Sequence, residues 1–366
     1  MNKISFPRIA FHVFAFLSLI ASVISRVVDR NEKGDFILWK SALVPDGVNY
    51  FKKTLEYNGL DSPEVQKLQT SIFGKLYDGS YLISKELQET LAARPLYPWL
   101  TSILPSWENS FLPLIVPIFA YLASALFIYL FFRSQTNSIT ASIFVIVFAS
   151  SFYVKYNLIS SAPDGLAFLL LIVGFWFIFS DKKTYWLSGG ACLLLSTFSR
   201  PTDPIILSAL LTLMILNRKT KPAALKYLFI FFIVLIHLIY IQVFYNQLSI
   251  GGINTASAEK LPMLDFVLNA LMNLPKHIFF EFGFLITNDP VMFFTLIISV
   301  FFLVSKPNSE LFFVFAAVFL SSFFLGSLNG SLGSGFRYQM PIYALSLLVI
   351  ARSAKNFRGF SNFPRL

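Results

Sequence analysis

Three aspartates stand next to turn-forming residues, where a carboxylate can meet a reacting hydroxyl. Asp46 begins an Asp-Gly pair that follows a proline, Asp164 stands in the run Ala-Pro-Asp-Gly, and Asp35 stands in the run Lys-Gly-Asp-Phe. An ionised carboxylate within hydrogen-bond reach can take the proton of a hydroxyl as a general base. Such runs are also typical of ordinary turns and helix N-caps, so the structural interpretation stays open beside the chemical one.

Three arginines supply the opposite charge. Arg94 opens the run Arg-Pro-Leu-Tyr-Pro, Arg200 lies in Ser-Arg-Pro, and Arg337 follows the glycine-rich run 330–335. The planar guanidinium group suits an anionic oxygen such as that of a phosphate, and a glycine-rich backbone can approach a phosphate closely. Arg200 has two alternatives, since it could pair with Asp203 or extend to the membrane interface, and Arg94 could simply anchor its loop.

The histidines and the cysteine indicate no metal or disulfide chemistry. His12, His237 and His277 are far apart in the sequence and show no ligand spacing. Cys192 is the single cysteine and lies inside an apolar run, which excludes a disulfide framework within the chain. We therefore predict neither a metal site nor a cofactor.

The composition indicates that a lipid bilayer surrounds much of the chain. Of 366 residues, 56% are hydrophobic and only 13% are charged, whereas soluble domains carry about 25% charged residues. The net charge of +10 could suggest a nucleic-acid partner. The basic residues, however, form short clusters between apolar runs rather than one basic face, so membrane orientation explains them better and no nucleic acid is predicted.

The elements that must position these residues are apolar helices. We predict an all-α, polytopic membrane bundle in which the whole chain, 1–366, forms one membrane domain of about ten spans. The predicted spans are the apolar runs 9–25, 111–132, 139–154, 165–180, 185–199, 203–216, 225–245, 291–305, 311–328 and 338–351. The pair 185–199 and 203–216 could instead be a hairpin that does not cross.

The loop charges predict the orientation of the bundle. With the N-terminus inside, fourteen basic residues fall in cytoplasmic segments and five in the short outer loops, as the positive-inside rule requires. Both termini are then cytoplasmic in a multi-pass protein of the plasma membrane. Seventeen of the nineteen acidic residues fall outside, which suggests that the chemistry belongs to the extracytoplasmic face.

Residues 26–110 form the first of two long outer loops and carry helix signals of their own. These signals cover 48–57, a stretch from Ser62 to Gly79, and 85–92. Their apolar residues have helical spacing, which is typical of amphipathic helices on a membrane surface. Helices that pack one face on the other outer loops would show the same pattern.

The second long outer loop, 246–290, contains an apolar segment that is not predicted to cross. The segment 277–286 is too short to span and carries Glu281, so we interpret it as re-entrant or interfacial. Counting it as a span would place the basic C-terminal tail outside, against the charge rule.

Taken in order, these motifs resemble the GT-C superfamily of membrane glycosyltransferases, and the resemblance covers most of the chain. The segment from Asp46 to Tyr50, followed by the run that Arg94 opens, looks like patterns in bacterial members, such as mannosyltransferases. Asp164 matches an acidic position at the start of a later span, and Arg200 matches an arginine two spans on. An unmistakable adjacent acidic pair is missing, so the catalytic carboxylate has two candidates.

The resemblance implies an inverting transfer of a hexose, with mannose as one candidate, from a polyprenyl-phosphate-sugar donor to a lipid, glycan or protein acceptor. It implies Asp46 as the base, with Asp35 in reserve, and arginines that stabilise the phosphate leaving group. Besides membrane lipids, donor and acceptor are the expected partners. Substrate binding is assigned to a wider set of residues, namely Asp164, Arg94, Arg200, Arg337, Tyr338 and Tyr50.

Two other functions stay open. A polysaccharide polymerase or ligase also acts on lipid-linked sugars, although its large loop typically comes late in the chain. A non-enzymatic transporter or lipid flippase would show repeats, broken helices and ionisable residues near the bilayer midplane. A transferase should bring Asp46 or Asp35 and an outer arginine to one cavity that is open to lipid, whereas a transporter should show a polar path that reaches the cytoplasmic side.

Overall fold

The computed structural model describes residues 6–30, 36–38, 42–43, 45–60, 62–73, 94–104, 112–180, 185–200, 202–217, 221–245, 263–306, 309–328 and 337–354. Within these ranges the chain is helical apart from one short hairpin, which confirms the helical fold class. The hairpin pairs β1 (Val28–Arg30) with β2 (Phe36–Leu38) in antiparallel register, with Asp29 opposite Ile37.

The described helices follow the apolar runs closely. They are α1 (Phe6–Val27), α2 (Pro45–Tyr57), α3 (Ser62–Phe73), α4 (Leu96–Ser102), α5 (Leu112–Gln135), α6 (Ser138–Ser150), α7 (Phe152–Leu158), α8 (Asp164–Ile178), α9 (Tyr185–Thr197), α10 (Asp203–Leu216), α11 (Lys221–Tyr245), α12 (Met263–Asn288), α13 (Pro290–Val304), α14 (Glu310–Leu328) and α15 (Met340–Ala354). Each of the ten runs predicted to span is largely helical, and the run 139–154 is divided between α6 and α7.

Length and apolarity allow some of these helices to cross a membrane. Three described segments, Ile9–Val27, Leu112–Gln135 and Glu310–Leu328, are long and apolar enough, and the pair α6–α7 makes a fourth if its two helices are one span. Five further apolar helices have only 10–17 described residues. The count of ten spans and the sidedness of the loops therefore remain predictions.

A buried carboxylate fixes the joint between α6 and α7. The two helices meet at Ser151 with a bend of 70°. Asp289, only 1% exposed, accepts hydrogen bonds from the Ser151 hydroxyl at 2.5 Å and the Tyr153 amide at 2.8 Å. Its other oxygen accepts from the Met292 amide at 3.0 Å and caps α13, because the first amides of a helix lack intrahelical partners.

The core lies where α8 packs against α5, α9 and α15, and α10 packs against α11 and α14. Helix α15 is buried on all sides from Met340 to Ala351, as expected for a helix that is apolar all round. Helices α8, α10 and α15 all begin at the same end of the bundle, here called the Asp164 end.

Helix α12 corrects the length predicted for the segment 277–286. That segment is part of a helix of 26 residues with Pro275 inside it. The carbonyl of Ala270 accepts from Ser327, and Asn288 donates to Tyr153, both of which lie at the Asp164 end. The re-entrant or interfacial placement of this segment stays a prediction.

The segment predicted to be the first long loop contains α2 and α3, and their apolar faces pack inside the protein. Phe51 and Leu55 are at most 1% exposed, and Val65 is 3% exposed. Helix α2 ends before Gly59, whose φ of +77° is left-handed backbone that glycine adopts without strain. Of the two interpretations of these helices, packing on protein is the one that the described residues show. The predicted helix 85–92 lies outside the described residues.

Candidate functional site

Asp164 joins the two arginines that follow it in the chain. Arg200 places Nε at 2.7 Å and Nη2 at 2.6 Å from Asp164 Oδ1. Arg337 forms a two-pronged contact, with Nε at 3.0 Å from Oδ1 and Nη2 at 2.9 Å from Oδ2. Residues 36 and 173 positions away from Asp164 therefore share its carboxylate, and Arg200 pairs with Asp164 rather than with Asp203.

Helix ends bring the three charges together. Asp164 begins α8 directly after Pro163, where the positive end of the helix dipole favours a carboxylate. Arg200 lies in the turn between α9 and α10, and Arg337 lies just before α15. The polar residues thus stand at the limits of apolar helices, where the backbone can leave the helix and the side chains reach one another.

Burial and nearby charges act in opposite directions on the pKa of the Asp164 carboxyl group. Asp164 directly precedes the apolar run that begins at Gly165. Burial alone would raise its pKa, but the charges of Arg200 and Arg337, together with their hydrogen bonds, hold that pKa well below the usual range. Asp164 is therefore ionised. Two guanidinium groups against one carboxylate leave an excess of one positive charge.

A small, partly open cavity of about 30 Å³ lies next to this group. Asp164, Arg200, Arg337 and Tyr338 form its polar side, with the Tyr338 ring centroid 5.6 Å from Arg200 Cζ. The rest of the wall is mostly apolar and includes Ala167, Phe168, Leu171, Ile205, Leu325, Met340 and Pro341. The lining therefore combines cationic side chains with an apolar wall, which suits an anionic group joined to a hydrocarbon.

Arg94 and Tyr50 form a second polar group nearby. Arg94 Nη1 donates to the Tyr50 hydroxyl at 3.1 Å, and both side chains are buried. The Leu96 amide, two residues later, donates to the carbonyl of Phe198 at 3.4 Å. This bond places the run that Arg94 opens beside the turn that carries Arg200.

The position of Asp46 is set by the close contact of α2 with the segment before Asp164. Asp46 is the second residue of α2, and a Cβ atom added at Gly47 would come within 2.0 Å of Ser161 Oγ. The first turn of α2 thus packs directly on Ser161, three residues before Asp164. Asp35 lies outside the described residues.

Sequence reasoning missed two buried hydrogen-bonded pairs beside the arginines. Asp203 Oδ1 lies 2.7 Å from His237 Nδ1, and Gln339 Nε2 lies 3.2 Å from His277 Nε2. All four side chains are buried. The available signal was a lone histidine inside an apolar run, since a polar side chain there needs a partner.

Among the described residues, no group of three or more His, Cys, Asp or Glu side chains could hold a metal ion. The polar side of the cavity offers guanidinium groups, which bind anions. Comparison with protein-family models, with curated proteins and with solved structures gives no match to this chain.

Proposed function

We propose that this protein is an inverting membrane glycosyltransferase of the GT-C type. It moves a hexose from a polyprenyl-phosphate-sugar donor to a lipid, glycan or protein acceptor on the extracytoplasmic face. The observation that carries the proposal is the Asp164 carboxylate shared by Arg200 and Arg337 in the lining of a small cavity whose other walls are mostly apolar. A phosphate attached to an isoprenoid chain has the matching chemistry, an anion joined to a hydrocarbon.

The cationic residues suit the leaving group. When the bond between the anomeric carbon and the phosphate oxygen breaks, the polyprenyl phosphate keeps the electron pair and gains negative charge. Fixed guanidinium groups stabilise charge that develops in this way. Asp164 holds both groups in place, and the arginines carry more N–H donors than one carboxylate accepts. Arg94, Tyr50 and Tyr338 extend the polar surface that substrates meet.

The base in this proposal is Asp46, with Asp35 as the alternative. Its carboxylate takes the proton of the acceptor hydroxyl while the hydroxyl oxygen attacks the anomeric carbon. Attack from the face opposite the phosphate inverts the anomeric configuration. The packing of Gly47 on Ser161 supports this role, because it brings the backbone of Asp46 near the segment that leads to Asp164.

We expect cells that lack the protein to accumulate a polyprenyl-phosphate-hexose and to lose one glycan. Lipid extraction followed by mass spectrometry measures both, and normal profiles of lipid-linked sugars and glycans would reject the transferase. Accumulation of the carrier on the cytoplasmic face alone would instead indicate a flippase.

When it is expressed in cells that lack the protein, Asp46→Asn should fail to restore the glycan, because the amide cannot take the acceptor proton. Its expression and membrane insertion should stay normal. Glu56→Gln is the matched control, since Glu56 lies on the same helix, is exposed and pairs only weakly with Lys53 at the surface. Full activity of Asp46→Asn would eliminate Asp46 as the base, and Asp35→Asn would then be measured in the same assay.

A further inference from the structure

His237 contacts both ends of the turn that carries Arg200. At one end, the rings of Phe198 and His237 meet edge to face with centroids 4.2 Å apart. At the other end, His237 Nδ1 lies 2.7 Å from Asp203 Oδ1. An ionised carboxylate can only accept a hydrogen bond, so His237 donates to Asp203 through Nδ1. One side chain of α11 therefore closes a turn of six residues.

The burial of this pair shows that it belongs to the interior. Asp203 is 1% exposed and His237 is 6% exposed, whereas Ile236, next to His237 on α11, is 64% exposed. A charged or polar group in such surroundings costs free energy unless a partner compensates it. Asp203 and His237 Nδ1 compensate each other, although His237 Nε2 has no hydrogen-bond partner among the described residues. The turn is therefore favoured in the position where Asp203 and Nδ1 meet.

The turn itself directs Arg200 toward Asp164. The Arg200 amide donates to the Ser196 carbonyl at 2.9 Å, and the Thr202 amide donates to the Arg200 carbonyl at 2.7 Å. These bonds shape the backbone locally. The contacts of His237 add a link to a third helix, because the turn connects α9 with α10 and His237 lies on α11.

We propose that His237, together with Asp203, is a positioning residue that holds the turn 198–203 so that Arg200 can bind the lipid-phosphate group. The proposal rests on the proposed function for the identity of the anion. His237 itself touches no substrate and acts through Arg200. Loss of its hydrogen bond lets the turn move, and the guanidinium group then leaves the place where it meets Asp164 and the phosphate.

The test uses the full-length protein in detergent with undecaprenyl phosphate as the probe and undecaprenol as the uncharged control lipid. His237→Phe keeps a ring against Phe198 and removes the donor. We expect it to weaken binding of undecaprenyl phosphate about tenfold, as for loss of a hydrogen bond to a charged group, and to leave undecaprenol unaffected. His237→Asn keeps an N–H donor near the place of Nδ1 and should restore most of the affinity.

A double-mutant cycle separates positioning from a general loss of stability. If His237 acts through Arg200, adding His237→Phe to Arg200→Ala should cause no further loss, because effects that share one route are not additive. His12→Phe is the matched control, since His12 also makes a side-chain hydrogen bond, to Ser142 at 2.6 Å, and an edge contact with an aromatic ring. Affinity of His237→Phe equal to that of the wild type, or an undiminished loss in the Arg200→Ala background, would overturn the proposal.

Hydrogen exchange supplies a readout that does not depend on the substrate. Amides of 196–206 should exchange faster in His237→Phe, while those at the start of α15 should not change. Unchanged exchange in 196–206 would also overturn the proposal. If the wild-type protein binds undecaprenyl phosphate and undecaprenol equally, the lipid-phosphate donor of the proposed function is wrong. In that case, the hydrogen exchange of 196–206 alone decides whether His237 holds the turn. Should the stranded carboxylate prevent folding, adding Asp203→Asn removes that charge for the same measurements.

Discussion

The two arginines that share Asp164 are held in different ways. The Arg200 side chain is 10% exposed, both of its contacting nitrogens meet one carboxylate oxygen, and its turn is closed from both ends by His237. The Arg337 side chain is 25% exposed and donates hydrogen bonds to both carboxylate oxygens of Asp164. The pair His277–Gln339 ties the chain on the side that follows Arg337.

This difference suggests that Arg200 and Arg337 have different roles. Arg200 is the buried member, whose removal should disturb the protein as well as the ligand. Arg337 is the more accessible member and lies closer to solvent, so it is better placed to meet an incoming phosphate. Three substitutions test whether the two arginines differ in this way.

Removal of Asp164 should have the largest effect, because both arginines lose their shared partner. In Asp164→Ala, two guanidinium groups remain side by side without the carboxylate. Breaking a buried ion pair on one side costs about 3–5 kcal/mol. We therefore expect the free energy of unfolding in detergent to fall by about that amount, measured by denaturant titration. Stability equal to that of the wild type would mean that solvent already compensates the arginines.

Removal of Arg200 should have an intermediate effect on stability. Asp164 keeps its two-pronged contact with Arg337, so only the bonds to the buried arginine are lost. Hydrogen bonds to charged groups contribute about 1.5–3 kcal/mol, and we expect Arg200→Ala to lower the free energy of unfolding by an amount in that range. An equal loss in Arg337→Ala, measured under the same conditions, would contradict the difference between the two arginines.

Removal of Arg337 should have the smallest effect on stability and a selective effect on the donor. We expect Arg337→Ala to raise the apparent KM for the lipid-phosphate donor about tenfold, while the KM for the acceptor stays close to the wild-type value. Steady-state kinetics with each substrate varied in turn measures both. Arg133→Ala is the control, because Arg133 is exposed in the last turn of α5. The last turn of α5 lies about 30 Å along the helix from Pro113, near its start. The Pro113 carbonyl accepts a hydrogen bond from the Tyr97 hydroxyl, so the start of α5 lies near the run that Arg94 opens. Arg133 therefore lies far from that run. Equal changes in both KM values would contradict a donor-specific role.

The helices could be predicted from the sequence because apolar runs are a local property. The predicted spans are largely helical, with the run 139–154 divided between α6 and α7, and the bounds of α10 and the C-terminal end of α2 agree with those predicted. The predicted length of the segment 277–286 was wrong, because it covered only an apolar run, whereas the helix extends from Met263 to Asn288. Proline bends a helix without always ending it when neighbouring groups compensate the lost hydrogen bond.

By itself, the sequence determined the helical class, the apolar helices and the few charged residues at their ends, since residue type and spacing encode these features. It did not determine which charged and polar side chains pair with each other. Arg200 has Asp203 three residues away, yet it binds Asp164, and Asp203 binds His237. Only the packing of α8, α10, α11 and α15 decided these pairs, because a buried charge takes the partner that lies within hydrogen-bond distance in space, whatever its distance along the chain.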